Sequence, residues 1–142
     1  MAKSTTRVQH MVLCPRISVV RAGPGNPYTL HDVRYTFRVE PDCEFPYVEP
    51  ELWLFVRFVF EGRGKKDFIV RLVWLDAPGG EGECGLFTLP PVSFGGDDVV
   101  ISRAWKLNYV SFPGEGRYAL RLSNKINSPV LGQEYIEVRR GS

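Results

Sequence analysis

Glycine and proline recur so often along this chain, with 14 Gly and 11 Pro among 142 residues, that few stretches are long enough to carry an amphipathic helix. Between these breaks the apolar runs are rich in Val, Ile, Phe, Tyr and Trp, whose branched or planar side chains pack well on a pleated surface. The pattern predicts strands at Val8–Cys14, Leu30–Val39, Glu51–Phe60, Asp67–Asp76, Cys84–Phe87, Val99–Val110, Arg117–Leu122 and Glu134–Arg139, and no helix longer than about two turns. About eight strands in a chain of this length imply one all-β domain over residues 1–142, either a sandwich or a barrel.

Two segments show which way the strands face. His31, Val33, Tyr35, Phe37 and Val39 alternate with Asp32, Arg34, Thr36 and Arg38, and Tyr118, Leu120 and Leu122 alternate with Arg117, Ala119 and Arg121. Successive side chains on a strand point to opposite faces, so each of these strands should have one wet face.

Several short features occur together: Leu13-Cys14 closing the first strand, Phe45-Pro46 before a long apolar strand, Asp76 after the next strand, and Phe112-Pro113-Gly114-Glu115-Gly116-Arg117-Tyr118 leading into Leu120. As a set they resemble an uncharacterised bacterial family of small immunoglobulin-like β-sandwich proteins, along roughly the whole chain. The resemblance implies an antiparallel immunoglobulin-like sandwich and brings no activity, hence no catalytic residue. In such sandwiches a tyrosine near the start of a late strand can return its hydroxyl to upstream backbone. Tyr118 is placed to form that tyrosine corner or to serve as an ordinary core aromatic. The paired cysteines and intervening tryptophan of antibody domains are missing.

Composition narrows the function classes. Charged residues make up 24% of the chain and the net charge is only +2, so a nucleic-acid partner is not expected. The N-terminus lacks the pattern of a secretory signal and no apolar stretch is long enough for a membrane helix, which together predict a cytoplasmic protein. Cys14, Cys43 and Cys84 are odd in number and show no CxxC spacing, so neither a disulfide framework nor a zinc site is expected. His10 and Cys14 lie too far apart along a straight strand to form a thiol dyad. The loop carboxylates Asp76, Glu81, Glu83, Asp97 and Asp98 match no calcium motif, and Gly62-Arg63-Gly64-Lys65-Lys66 is no phosphate-binding loop. No cofactor, metal or catalytic group is expected.

The segment Glu51–Asp76 carries the site expectation. Read as a hairpin with its tip at Gly62–Lys65, it sets Glu61 opposite Lys66 and Arg57 opposite Val70, because a one-step slip would place Arg57 against Arg71. One face then carries Trp53, Phe55, Arg57, Val59, Trp74, Leu72, Val70 and Phe68, while the other is equally apolar. A segment of the same chain, a second copy or a ligand could cover the extra face. The expected binding residues are Trp53, Phe55, Arg57 and Trp74, and the expected role is a non-catalytic interaction module forming a homodimer, with another protein partner possible. Two alternatives stand beside it. One is a sandwich that stacks a sugar or nucleotide on Trp53 or Trp74, and the other is a metal-dependent hydrolase using loop carboxylates with His10 and His31.

Overall fold

The computed structural model describes residues 5–14, 16–19, 28–31, 36–94 and 100–141. Their regular elements are all strands: β1 (Thr5–Cys14), β2 (Arg16–Val19), β3 (Tyr28–His31), β4 (Thr36–Val39), β5 (Tyr47–Glu61), β6 (Gly64–Trp74), β7 (Gly82–Phe94), β8 (Val100–Phe112), β9 (Gly116–Ser123) and β10 (Gly132–Arg140). Among them no helix is long and apolar enough to cross a membrane. The strands form a three-stranded sheet in the order β1-β5-β8, a five-stranded sheet in the order β4-β10-β9-β6-β7, and a separate β2-β3 ladder.

The two larger sheets share one core. Leu52, Leu54, Val56, Phe58 and Phe60 of β5 meet Phe68, Val70 and Leu72 of β6 and Tyr118, Leu120 and Leu122 of β9 in a single buried cluster. Phe58 stacks on Phe68 across the sheets at 4.7 Å between ring centroids, and Phe60 on Phe94 at 3.9 Å. Full burial of each such ring contributes roughly 1.5–3 kcal/mol, so this aromatic layer supplies much of the drive to close one sheet over the other.

That layer also corrects the expected hairpin. β5 pairs with β1 and β8, as in Leu54 between Leu13 and Trp105, while β6 pairs with β7 and β9, as in Val70 between Phe87 and Leu122. The short turn after Glu61, with Gly62 at φ 99° and Gly64 at φ 145°, carries the chain from one sheet to the other. Facing each other across the core buries the apolar side of both strands at once.

Other boundaries differ from the sequence reading, and β2 had no expected counterpart. The strand expected at Leu30–Val39 divides into β3 and β4, which belong to different sheets, and residues 32–35 lie outside the described ones. Phe37 and Val39 are buried while Thr36 and Arg38 are exposed, as the alternation requires; β4 runs parallel to β10. β7 continues well past Phe87 through Pro90 and Pro91. It can do so because it is the last strand of its sheet, and on a free edge a missing N–H breaks no ladder.

Candidate functional site

Trp53 lies on the side of the three-stranded sheet that faces away from the main core. Its cross-strand neighbours are Cys14 on β1 and Lys106 on β8. The indole Nε1 donates to Glu51 Oε1 at 2.9 Å, and the other oxygen of Glu51 lies 3.9 Å from Lys106 Nζ. These contacts hold the ring upright at the wall of a groove of about 510 Å3, also lined by Leu86, Thr88 and Pro90 of β7 and Lys106 and Asn108 of β8. Both strands are sheet edges: among the described residues β7 and β8 each pair on one flank only. The groove therefore combines an aromatic wall, a cationic and an amide side chain, and a row of backbone groups with capacity to pair.

Of the residues predicted to bind, Trp53, Phe55 and Arg57 sit in line on this outer face, and Trp74 does not join them. Phe55 is 3% exposed and Cys14 0%, although neither belongs to the main core cluster, and β2 lies against β5. The second apolar face of β5 is thus partly covered from within the chain. Arg57 is half-buried opposite His10 and donates from Nε to Ser102 Oγ at 3.3 Å. Trp74 belongs to the other sheet and stacks on Tyr118 with centroids 5.8 Å apart and planes 9° from parallel.

The groove itself was missed by sequence reasoning. Its floor is built from segments of β7 and β8 that meet only in the fold, and the available signal, apolar Leu89 before the prolines with Val92 and Phe94 after them, was hidden by Pro90-Pro91.

The glycine-rich turn ahead of β9 is a second organised region. The Tyr118 hydroxyl donates to Gly114 O at 2.5 Å and accepts from Gly114 N at 3.0 Å, so the residue forms the tyrosine corner. Burial pushes the Tyr118 hydroxyl pKa up to about 12, which keeps it a donor. Beside it Arg117 grips Asp76 with two nitrogens, Nη2 to Oδ1 at 2.8 Å and Nε to Oδ2 at 3.1 Å, and donates its backbone N–H to Oδ2 at 2.8 Å. Hydrogen bonds from Arg117 lower the Asp76 pKa to about 2. The folded-state value lies below the ordinary 3.8, so the stability contributed by this carboxylate is present above about pH 4 and is lost as the pH falls toward 2. Thermal melts should accordingly show the advantage of the wild type over Asp76→Asn shrinking between pH 5 and pH 2; a constant difference would contradict the assigned pairing.

The candidate chemical groups stay apart. Among the described residues no three His, Cys, Asp or Glu side chains converge as a metal site would require. Cys14 is buried and His10 exposed on the same strand. The side chain of His31, and Asp97 and Asp98 altogether, lie outside the described residues.

No protein-family model matches the sequence, and no curated protein does. Solved structures do resemble it. The chain is similar to part of an alkylpurine DNA glycosylase from Pseudomonas fluorescens, bound to DNA containing an abasic site analog, with a TM-score of 0.53 and 12% identity over 94% of this chain and 30% of that one. It is also similar to part of a β-glucosidase from Listeria innocua in complex with isofagomine, with a TM-score of 0.51 and 9% identity over 96% of this chain and 16% of the other. A β-D-glucoside glucohydrolase from Trichoderma reesei gives a TM-score of 0.50 and 8% identity, with 97% of this chain and 19% of the enzyme covered. The chain spans less than a third of each of these proteins, and at such identities the likeness concerns the fold alone.

Proposed function

We propose that this chain is a non-catalytic binding module of immunoglobulin-like sandwich type, and that the groove beside β8 receives an extended stretch of a partner polypeptide. Strand order supports the fold. In immunoglobulin sandwiches one sheet holds strands A, B, E and D and the other is built on C, F and G. Here β1, β5 and β8 take the places of A, B and E, while β10, β9, β6 and β7 follow the order G, F, C, C′. The tyrosine corner at the start of β9, the place of strand F, agrees.

The observation that carries the binding reading is the groove on the free flank of β8, where strand D would lie. A polypeptide in β conformation can add to such an edge, with main-chain hydrogen bonds providing affinity and alternate side chains entering the groove against Trp53 and Leu86. β8 suits this better than β7. It carries no proline, whereas Pro90 and Pro91 remove donors from the opposite wall.

A phage library of random decapeptides, together with xylo-oligosaccharides and mononucleotides titrated singly, tests the reading. Peptides with alternating apolar residues should be enriched and should slow amide exchange along Ala104–Asn108, and Trp53→Ala should weaken them by about tenfold or more. Binding of the sugars or nucleotides alone would instead favour the stacking alternative, with Trp53 as its platform.

A further inference from the structure

The five-stranded sheet has an outer face of its own, which borders the groove at Leu86 of β7. Its central row, read across the ladder, is Leu86, Arg71, Arg121 and Gln133. Two arginines thus stand directly opposite one another, an arrangement that costs stability unless anions balance it. Arg121 is balanced: its Nη2 lies 3.5 Å from Glu81 Oε1, and its Nε donates to Gln133 Oε1 at 3.3 Å. Among the described residues Arg71 has no such partner, and its buried Nε meets no acceptor. The face also carries one acid without an ion pair among the described residues. The bulge at Cys84 sets Glu83 opposite Val73, on the strand next to Arg71 and one row along.

We propose that this face is the contact surface between two copies of the chain, related by a two-fold axis lying in the face midway between these residues, so that each Arg71 meets the partner's Glu83. A two-fold contact is self-complementary, so one unpaired base and one unpaired acid, offset on the same patch, satisfy each other twice. The surroundings suit close approach. Val73 and Ala119 are already buried to 6% and 0% exposure, leaving a low floor, while Leu86 at 49% and Tyr135 at 54% stand out as large exposed side chains. Four adjacent strands at about 4.8 Å spacing and about 26 Å length give roughly 500 Å2 in projection, which with side-chain relief approaches the ~800 Å2 per partner of a standard interface.

Sedimentation equilibrium and light scattering of the full chain, up to about 100 µM, test this directly. The wild type should reach a two-chain mass. Arg71→Glu and Glu83→Arg should each weaken association by about tenfold or more, and the double reversal should restore it. Circular dichroism melts establish that each variant is folded, and Arg71→Gln with Glu83→Gln replace any reversal that is not, with weakened association expected again. A monomeric wild type, single variants that associate undiminished, or a folded double reversal that stays monomeric would each overturn the proposal.

Discussion

Replacing Phe58 with Ala is expected to cost about 3–5 kcal/mol, the range for deleting a large aromatic from a core that cannot collapse. Phe58 is fully buried and touches both sheets: it stacks on Phe60 at 5.4 Å and Phe68 at 4.7 Å and meets the edge of Trp105 at 5.8 Å. Its neighbours are themselves rings held by separate strands, so none can swing into the hole without losing a contact of its own. A chain of this size has roughly 7–15 kcal/mol of total stability, so the loss is a large share of the whole. Urea denaturation measures it. A loss under about 1.5 kcal/mol would show that the sheets can close over the gap and that the aromatic layer is not the centre of the core.

Tyr118→Phe should lower stability by about 1–3 kcal/mol, although it removes a single oxygen. The ring keeps its stack on Trp74 and its edge contact with Phe112 at 5.0 Å, so packing is nearly conserved. What disappears is the hydroxyl that satisfies both the N–H and the C=O of Gly114. The turn offers little room for repair, because a Cβ on Gly114 would stand 2.8 Å from the Trp74 ring. Gly114→Ala should therefore also destabilise, by steric conflict and not by a lost hydrogen bond. Unchanged urea midpoints for Tyr118→Phe would mean that water substitutes for the hydroxyl.

The parts of the fold that were legible in the sequence are those decided within one strand or one turn. Tyr118, Leu120 and Leu122 are all fully buried, as their alternation requires, although Ala119 on the face expected to be wet is buried too, and the Phe112–Tyr118 motif makes the turn it was expected to make. Pairing was not legible, because it depends on partners far away in the chain. The hairpin register, with Arg57 opposite Val70, failed because β5 and β6 belong to different sheets, and the like-charge rule behind it does not hold on β6 either: Arg71 faces Arg121, whose charge Glu81 balances from the β6–β7 loop. Trp53 could be singled out by its composition and surroundings. The groove it walls could not, since β7 was cut short at its prolines and the edges of two sheets had to be brought side by side.

The passage of the chain from one sheet to the other after β5 sets an order of events during synthesis. Leu54 finds one neighbour in Leu13, made well before it, and its other neighbour in Trp105, made well after. At translation speeds of about 5–20 residues per second, β5 waits seconds with one flank unpaired and an apolar face uncovered. β6 and β7 meanwhile can pair as soon as both have emerged, since they adjoin in the chain. The five-stranded sheet can thus start as a local hairpin, while the three-stranded sheet must wait for distant chain. Closure of long segments makes such topologies slow to fold, and the nascent β5 is the stretch on which a chaperone or an unwanted aggregate would first take hold.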